Sequence, residues 1–452
     1  MTLLNELSAE VCQRARMSRD PRFDGRFFVA VKTTGIFCRP ICPANLPKEE
    51  NVEYFSSQAL AVSAGYRPCL RCRPESAPHS WAWKGAETTF LRALTLIEQG
   101  ELDGSLETLA SRLGISDRYL RQLFQRHLGM PPKQYAQIQQ LMFAKQLLHT
   151  SQISITEVAY ASGFQSTRRF NDAFQKLFRL TPTQVRRERA ALPSRNHLSL
   201  AFRGPFDWAH MLDFYRLRAI EGMELVDEQS YQRHFVLGEG TGWFKASMAQ
   251  SHLDIEFEME RLSDLRHLVA RLRRMFDLDA DLISIEAHLE QLAPGLVRRT
   301  GIRIPGVWNA WEAGVRAVLG QQVSVKAAIG QLNLLVSTLA ASEGSTRYFP
   351  TPEQVQMSDL SFLRMPERRK ETLKRLADYV RLHPMDSPMA WLSLSGIGPW
   401  TVDYAQLRGE SRSHCFLTGD LIVKKVLAKF PQLTAESVAP WGSYATFHCW
   451  SH

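Results

Sequence analysis

Apolar residues fall at helical spacing in SLETLASRLGISDRYLRQLFQRHLGMP, residues 105–131, with Leu106, Leu109, Ala110 and Leu113 on one face. The pattern returns in SITEVAYASGFQSTRRFNDAFQKLFRLTP, residues 154–182, at an offset of 49–51. Gly114 matches Gly163, Phe124 matches Phe174, and Pro131 matches Pro182. Each copy predicts a helix, a glycine turn and a second helix opened by a polar cap, Ser116 or Ser166. That is a helix-turn-helix, and Tyr135–His149 predicts a helix bridging the two copies. Further on, residues 231–260 alternate loosely around FVLGEGTGWFKA, which predicts antiparallel strands with a Gly-rich hairpin. After about residue 283 the pattern is helical, with a long run from Trp308 to Val336 that is apolar on one face.

At 452 residues the chain has room for about three domains. No apolar run reaches the length of a membrane span, and the start has no apolar core of signal-peptide length. A cytoplasmic, nucleoid-associated protein is expected. The formal charge of +9 is unevenly spread. Residues 1–78 carry 11 basic and 8 acidic side chains, 79–195 carry 16 and 9, and 196–452 carry 28 and 29. A basic front half favours a polyanionic partner, nucleic acid above all, although a merely soluble surface has the same composition.

The seven cysteines concentrate that reading. Cys38 and Cys42 form a C-x3-C pair, Cys69 and Cys72 a C-x2-C pair, and Cys12, Cys415 and Cys449 are scattered. Without a secretion signal, two tight pairs point to a metal site, with scattered buried thiols the other possibility. The spacing suits one tetrahedral Zn²⁺ held by four thiolates at about 2.3 Å. Such a site is usually structural. Four thiolates on a divalent cation also carry a formal charge of −2, so their sulfurs are electron-rich and able to take a methyl group. Methylation would lower the negative charge and strengthen contact with phosphates.

Residues 26–75, with TTG-x-FCRP-x-C and RPC-x-RC, resemble the N-terminal domain of the Ada family, which demethylates phosphotriesters of alkylated DNA. The resemblance implies that Cys38 is the methyl acceptor and that Cys38, Cys42, Cys69 and Cys72 hold the zinc. It places Thr34, Arg39, Arg67 and Arg71 near the DNA phosphate. Pro43 and Asn45 stand where the family carries arginines, which lowers the expected phosphate affinity.

The repeat resembles the AraC-type DNA-binding domain throughout. Arg118, Arg121, Gln122 and Arg126 in one copy, and Gln165, Arg168, Arg169 and Asn171 in the other, suit phosphates and major-groove base edges, or equally a solvated helix face. VRRERAALPSRN, 185–196, has the composition of a helix end and a linker.

In LSLSGIGPWTVDYAQL, Gly396 and Gly398 predict a helix-hairpin-helix whose second helix N-terminus can hold a phosphate. Asp420 follows 22 residues after Gly398, placed either to cap the LIVKKVL helix or to face a reacting nucleotide, two roles that are compatible. Residues 196–452 resemble the AlkA-type 3-methyladenine DNA glycosylases. That resemblance implies a base pocket containing Trp400, Tyr404 and Trp450, with Asp420 stabilising the positive sugar or activating water. Trp400 occupies the place where lyase-type relatives carry lysine, so hydrolysis without a Schiff base is expected. Only Cys449 follows Asp420, so no iron–sulfur cluster is expected. Gln322, in VLGQQVSV, stands where the family inserts an apolar wedge into the duplex.

The expected fold is multidomain, mainly α with α+β parts. It comprises a small zinc-bound α+β domain (1–78), a tandem helix-turn-helix domain (84–190), a linker (191–197), an antiparallel sheet domain (198–288) and a helix-hairpin-helix glycosylase domain (289–452). The expected function joins a methylphosphotriester sensor and transcription activator to an alkylbase glycosylase. Its partners are alkylated and promoter double-stranded DNA and RNA polymerase, with no membrane and a monomeric state. The Pro-Cys-His-Arg motif of an O6-methylguanine methyltransferase is absent. Two rivals stay open: a zinc-stabilised regulator whose glycosylase-like part only grips DNA, and a glycosylase merely targeted by its N-terminal part.

Overall fold

The computed structural model describes residues 7–20, 23–72, 74, 81–98, 100, 102, 105–187, 196–340, 342–344, 346–384 and 386–452. It divides into two compact units, 1–139 and 140–452. No helix among the described residues is long and apolar enough to cross a membrane.

The first unit opens with α1 (Ala9–Met17) and a four-stranded sheet of β1 (Phe28–Val31), β2 (Ile36–Cys38), β3 (Val52–Phe55) and β4 (Arg67–Pro68), in the order β3-β1-β2-β4. Alternation along β1 splits the core. Phe27 and Val29 pack with Cys12 and Ala15 of α1, whereas Phe28 and Ala30 pack with Phe37 and with Ala61 of α2 (Gln58–Ser63). Then come α3 (Trp81–Glu98), α4 (Leu106–Arg112), α5 (Asp117–Leu128) and the start of α6 (Pro132–Thr150). Ser105 caps α4 and Ser116 caps α5, and Gly114 makes the intervening turn at φ +67°. Leu106, Leu109, Ala110, Leu120 and Phe124 form the core of this half.

The second unit holds the rest of α6, then α7 (Ile155–Ala161), α8 (Thr167–Phe178) and α9 (Pro182–Arg187). A capping box of Ser154 and Glu157 starts α7, Gly163 turns at φ +85°, and Ser166 caps α8. Next are β5 (His197–Ala201), α10 (Trp208–Arg216), β6 (Glu224–Val226), β7 (Ser230–Leu237), β8 (Gly240–Met248) and β9 (His252–Met259). The sheet is antiparallel with order β5-β9-β8-β7-β6, and the expected hairpin falls between β7 and β8. The two compact units meet inside α6, and residues 191–195 of the expected 191–197 linker lie outside the described residues. The physical reason is a continuous core: Phe164, Phe170 and Phe174 belong to the same apolar cluster as Tyr231, Phe244 and Ile255 of the sheet.

The remaining helices are α11 (Leu265–Met275), α12 (Leu282–Leu292), α13 (Ala310–Gly320), α14 (Val325–Leu339), α15 (Pro352–Met357), α16 (Glu367–Leu382), α17 (Pro399–Glu410), α18 (Leu421–Leu427) and α19 (Gly442–Trp450). They build two apolar cores. One joins α13, α14, α16 and the start of α17; the other joins α12, the end of α17, α18 and α19. The long run from Trp308 to Val336 forms two helices, α13 and α14. Gln322 adopts φ +58° and Ser324 caps α14, which breaks the helical hydrogen-bond ladder. The hairpin also differs in detail, because a 3₁₀ segment, Pro388–Ser393, precedes Gly396 where an α-helix was expected.

A buried ion network fastens the sheet to α13. Arg233 of β7 bonds Glu224 of β6 at 2.8 Å and Glu312 at 2.5 Å, and Arg316 bonds Glu312 at 2.8 Å and Glu224 at 3.2 Å. Burial opposes the charge on Glu312, but Arg233 and Arg316 hold its carboxyl down to about 2.

Candidate methyl-acceptor and base-excision sites

In the first unit, β2 pairs antiparallel with β1 and parallel with β4, matching Phe37 to Pro68. Gly35 permits the β1–β2 turn at φ +65°. This pairing brings Cys38, at the end of β2, beside Cys69, whose N–H donates to the carbonyl of Phe37 at 3.0 Å. The loops add Cys42 and Cys72, and all four Sγ atoms lie within 4.8 Å of one another. A tetrahedron with 2.3 Å bonds has edges of about 3.8 Å, so the cluster suits Zn²⁺. Among the described residues this is the only such group of ligating side chains.

With four thiols this close, a hydrogen bond to Cys72 pushes the Cys38 thiol up, burial pushes Cys42 up, and Cys72 falls to about 6 through its bond from Cys38. Such competition for protons is what a divalent cation removes. Cys38 and Cys72 are half-buried, whereas Cys42 and Cys69 are buried. The N–H of Arg39 donates to the Cys72 sulfur at 3.4 Å.

Thr34, Arg67 and Arg71 are exposed. Arg39 is placed differently: its Nε donates to Asp24 at 2.8 Å, a second nitrogen bonds the other Asp24 oxygen, and Nη1 donates to the Cys72 carbonyl at 3.3 Å. Nothing in the spacing of the motif announces Asp24, which comes from the turn before β1. Arg118, Arg121, Gln122 and Arg126 lie exposed along one face of α5, with Arg121 tied to Asp117 at 2.9 Å. Gln165, Arg168, Arg169 and Asn171 are exposed at the start of α8.

In the second unit, a cavity of about 390 Å³ lies among α10, α13, α14, α17, α18 and α19. It collects Trp400, Tyr404, Asp420 and Trp450, which are widely separated in sequence. The Trp400 and Tyr404 rings stack at 5.3 Å, and Trp450 lies parallel to Phe214 at 6.3 Å. Asp420 is the N-cap of α18. Its Oδ1 accepts from the N–H groups of Ile422 (2.9 Å) and Val423 (3.2 Å) and from Trp450 Nε1 (3.1 Å). Its Oδ2 has no hydrogen-bond partner among the described residues. One oxygen is thus anchored and the other remains available to a reacting group.

The α10 wall was not anticipated residue by residue. Asp213, Phe214, Leu217 and Arg218 follow helical spacing and all line the cavity, a signal present in HMLDFYRLR. Gly396, at φ +93°, lies so close to α16 that a Cβ would come 2.1 Å from Thr372 Oγ1. Gly398 is the N-cap of α17. The unanticipated Gln321 bonds the hairpin, its Nε2 donating to the Gly396 carbonyl at 3.1 Å and to Thr401 Oγ1 at 3.2 Å. Its neighbour Gln322 is exposed in the left-handed turn between α13 and α14.

Comparison with known proteins decides the lineage. The chain is 34% identical to a probable bifunctional transcriptional activator/DNA repair enzyme AlkA of Mycobacterium tuberculosis, over 98% of this chain and 96% of that one. The chain belongs to the family of bifunctional transcriptional activator/DNA repair proteins. Family models mark the metal-binding domain of Ada at 11–75, a helix-turn-helix domain at 109–188 and the AlkA N-terminal domain at 197–309. The C-terminal part is also 33% identical to DNA-3-methyladenine glycosylase 2 of Escherichia coli, over 56% of this chain and 96% of that protein. The N-terminal part is 35% identical to the bifunctional activator/repair enzyme Ada of the same organism, over 38% of this chain and 47% of Ada.

Proposed function

We propose that this chain accepts methyl groups from DNA methylphosphotriesters on Cys38, then activates transcription of alkylation-repair genes, and separately excises alkylated bases at Asp420. The observation that carries the reading is the Asp420 carboxylate: one oxygen is fixed by three donors and the other is unpartnered on the wall of an aromatic cavity.

Alkylation at a ring nitrogen makes a base cationic and weakens its bond to the sugar. An extruded base of this kind gains from the faces of Trp400, Tyr404 and Trp450. As the bond lengthens, positive charge grows on the sugar, and Asp420 stabilises it or takes a proton from the attacking water. Trp400 offers no amine, so the product is an abasic site and a free base. Gly396, Gly398 and Gln322 approach the duplex.

In the N-terminal half, Cys38, Cys42, Cys69 and Cys72 hold Zn²⁺, which keeps the thiols ionised. The Cys38 sulfur attacks the methyl carbon of the triester; the carbon–oxygen bond breaks, and its electrons leave with the phosphate diester. The product is a neutral thioether. Thr34, Arg67 and Arg71 meet phosphate, and the Asp24–Arg39 pair orients the loop between Cys38 and Cys42. Lower negative charge then favours promoter DNA, read by the α5 and α8 faces, and RNA polymerase is recruited by a monomer acting in the cytoplasm.

The test is single-turnover release of 3-methyladenine and 7-methylguanine from methylated duplex DNA. Release by the wild type that is abolished in Asp420→Asn supports the reading. A wild type that binds the duplex without releasing base contradicts it, and leaves a regulator that only grips DNA.

A further inference from the structure

The two helix-turn-helix copies complete their cores in different ways. The first closes on α3, whose Phe90, Ala93 and Ile97 pack with Leu106, Leu109 and Phe124. The Phe90 and Phe124 rings meet edge to face at 5.2 Å. The second copy shares Leu141, Ala144 and Leu148 of α6 and then runs on into the excision half. Its Val158, Phe170 and Phe174 belong to one apolar cluster with Leu198, Tyr231, Phe244 and Ile255 of the five-stranded sheet. α7 packs against the 3₁₀ turn Leu262–Asp264, which follows β9. Ile155, Phe178 and Leu262 border the same core.

Size explains why the second copy needs such a cover. α7 has 7 residues, α8 has 12 and α9 has 6. Helices no longer than about 12–15 residues are marginal in water and take their stability from tertiary packing. From Gln140 to Arg187 the copy is close to the limit of about 40 residues below which a segment rarely folds unaided. The cover also leaves the reading face open: Gln165, Arg168, Arg169 and Asn171 remain exposed. Leu262 is half-buried and does not line the excision cavity, so the contact and the cavity are separate.

We propose that the antiparallel sheet of the excision half, through its Leu262 turn, is the docking partner of the second helix-turn-helix, and that α8 reads DNA only while α7 is seated there. This rests on the promoter-reading part of the function proposed above and not on base excision. The sheet thereby serves transcription as well as repair. Opening the contact frees α7 and α8 to fray, and the chain loses one of its two readers while the first copy keeps its own core.

The test uses the full zinc-loaded chain and a duplex that the wild type selects from a random-sequence pool. Hydrogen exchange of Ile155–Phe178, affinity for the selected duplex and release of 7-methylguanine are measured side by side. Leu262→Asp places a charge in the apolar contact. It raises the opening constant of Ile155–Phe178 at least tenfold and weakens the selected duplex at least tenfold, with base release within threefold of wild type. Should the aspartate variant not fold, Leu262→Ala decides, with at least threefold expected in both opening and affinity. Opening of Ile155–Phe178 that matches wild type shows that the sheet is not the dock and overturns the inference. Opening that rises while affinity holds overturns the coupling to DNA reading. A wild type that selects no duplex overturns the promoter-reading proposal itself, and this inference with it.

Discussion

Asp420 uses its two oxygens differently: Oδ1 caps α18 and accepts from Trp450, whereas Oδ2 has no hydrogen-bond partner among the described residues. Asparagine caps a helix about as well as aspartate. Asp420→Asn is therefore expected to cost less than about 1 kcal/mol of stability in urea unfolding. Base release in the same variant should fall by about 10²–10⁴. A loss of stability as large as that of a core truncation would mean that Asp420 is structural. The placement of Asp420 at the cavity and the clustering of the four cysteines were legible in the sequence because each sits in a short motif with fixed spacing. The cavity wall made by Phe214 and Arg218 was not, because its meaning depends on α10 meeting α17 and α19, which start 191 and 234 residues after it. The Asp24–Arg39 pair was hidden for the same reason: Arg39 had been matched to phosphate, with no sign of a carboxylate waiting for it.

At the scale of elements, the helix-turn-helix copies could be read because caps, glycines and periodicity all agree locally. The helical pattern from Trp308 to Val336 does not mark the break between α13 and α14, where Gln322 takes φ +58°. The turn there is held by Gln321 bonding across to the hairpin, an interaction 75 residues away in sequence. The hairpin tolerates no side chain at Gly396, where φ is +93° and Thr372 is in the way. Gly396→Ala should cost about 2–4 kcal/mol, measured by urea unfolding. The buried network predicts a pH signature. Glu312 is held near 2, below its ordinary 4.5, so its contribution is complete above the ordinary value and disappears as pH falls through about 2. Glu312→Gln should cost about 3–5 kcal/mol at neutral pH, because Arg233 and Arg316 lose a buried counter-charge. The gap from wild type should narrow between pH 4.5 and 2. A gap constant across that range would count against the assignment.

For the whole molecule, the basic excess of the first 195 residues and the near-neutral remainder fit a division between sensing and excision. Among the described residues only the four-cysteine site collects metal ligands, so removing zinc should separate the activities. Chelation is expected to deprotect the sheet around Phe28–Cys38 in hydrogen exchange and to stop methyl transfer, while base release continues at its original rate. The direct test of the central claim, that one chain carries both chemistries, is a single incubation of the zinc-loaded protein with methylated duplex DNA. Peptide mass mapping and the released bases are read from the same tube, beside Cys38→Ala and Asp420→Asn. The account predicts one added methyl on Cys38 together with free alkylated bases, each lost in its own variant alone. An unmodified Cys38, with triesters confirmed in the DNA, would reduce the cysteine cluster to structural zinc and contradict it.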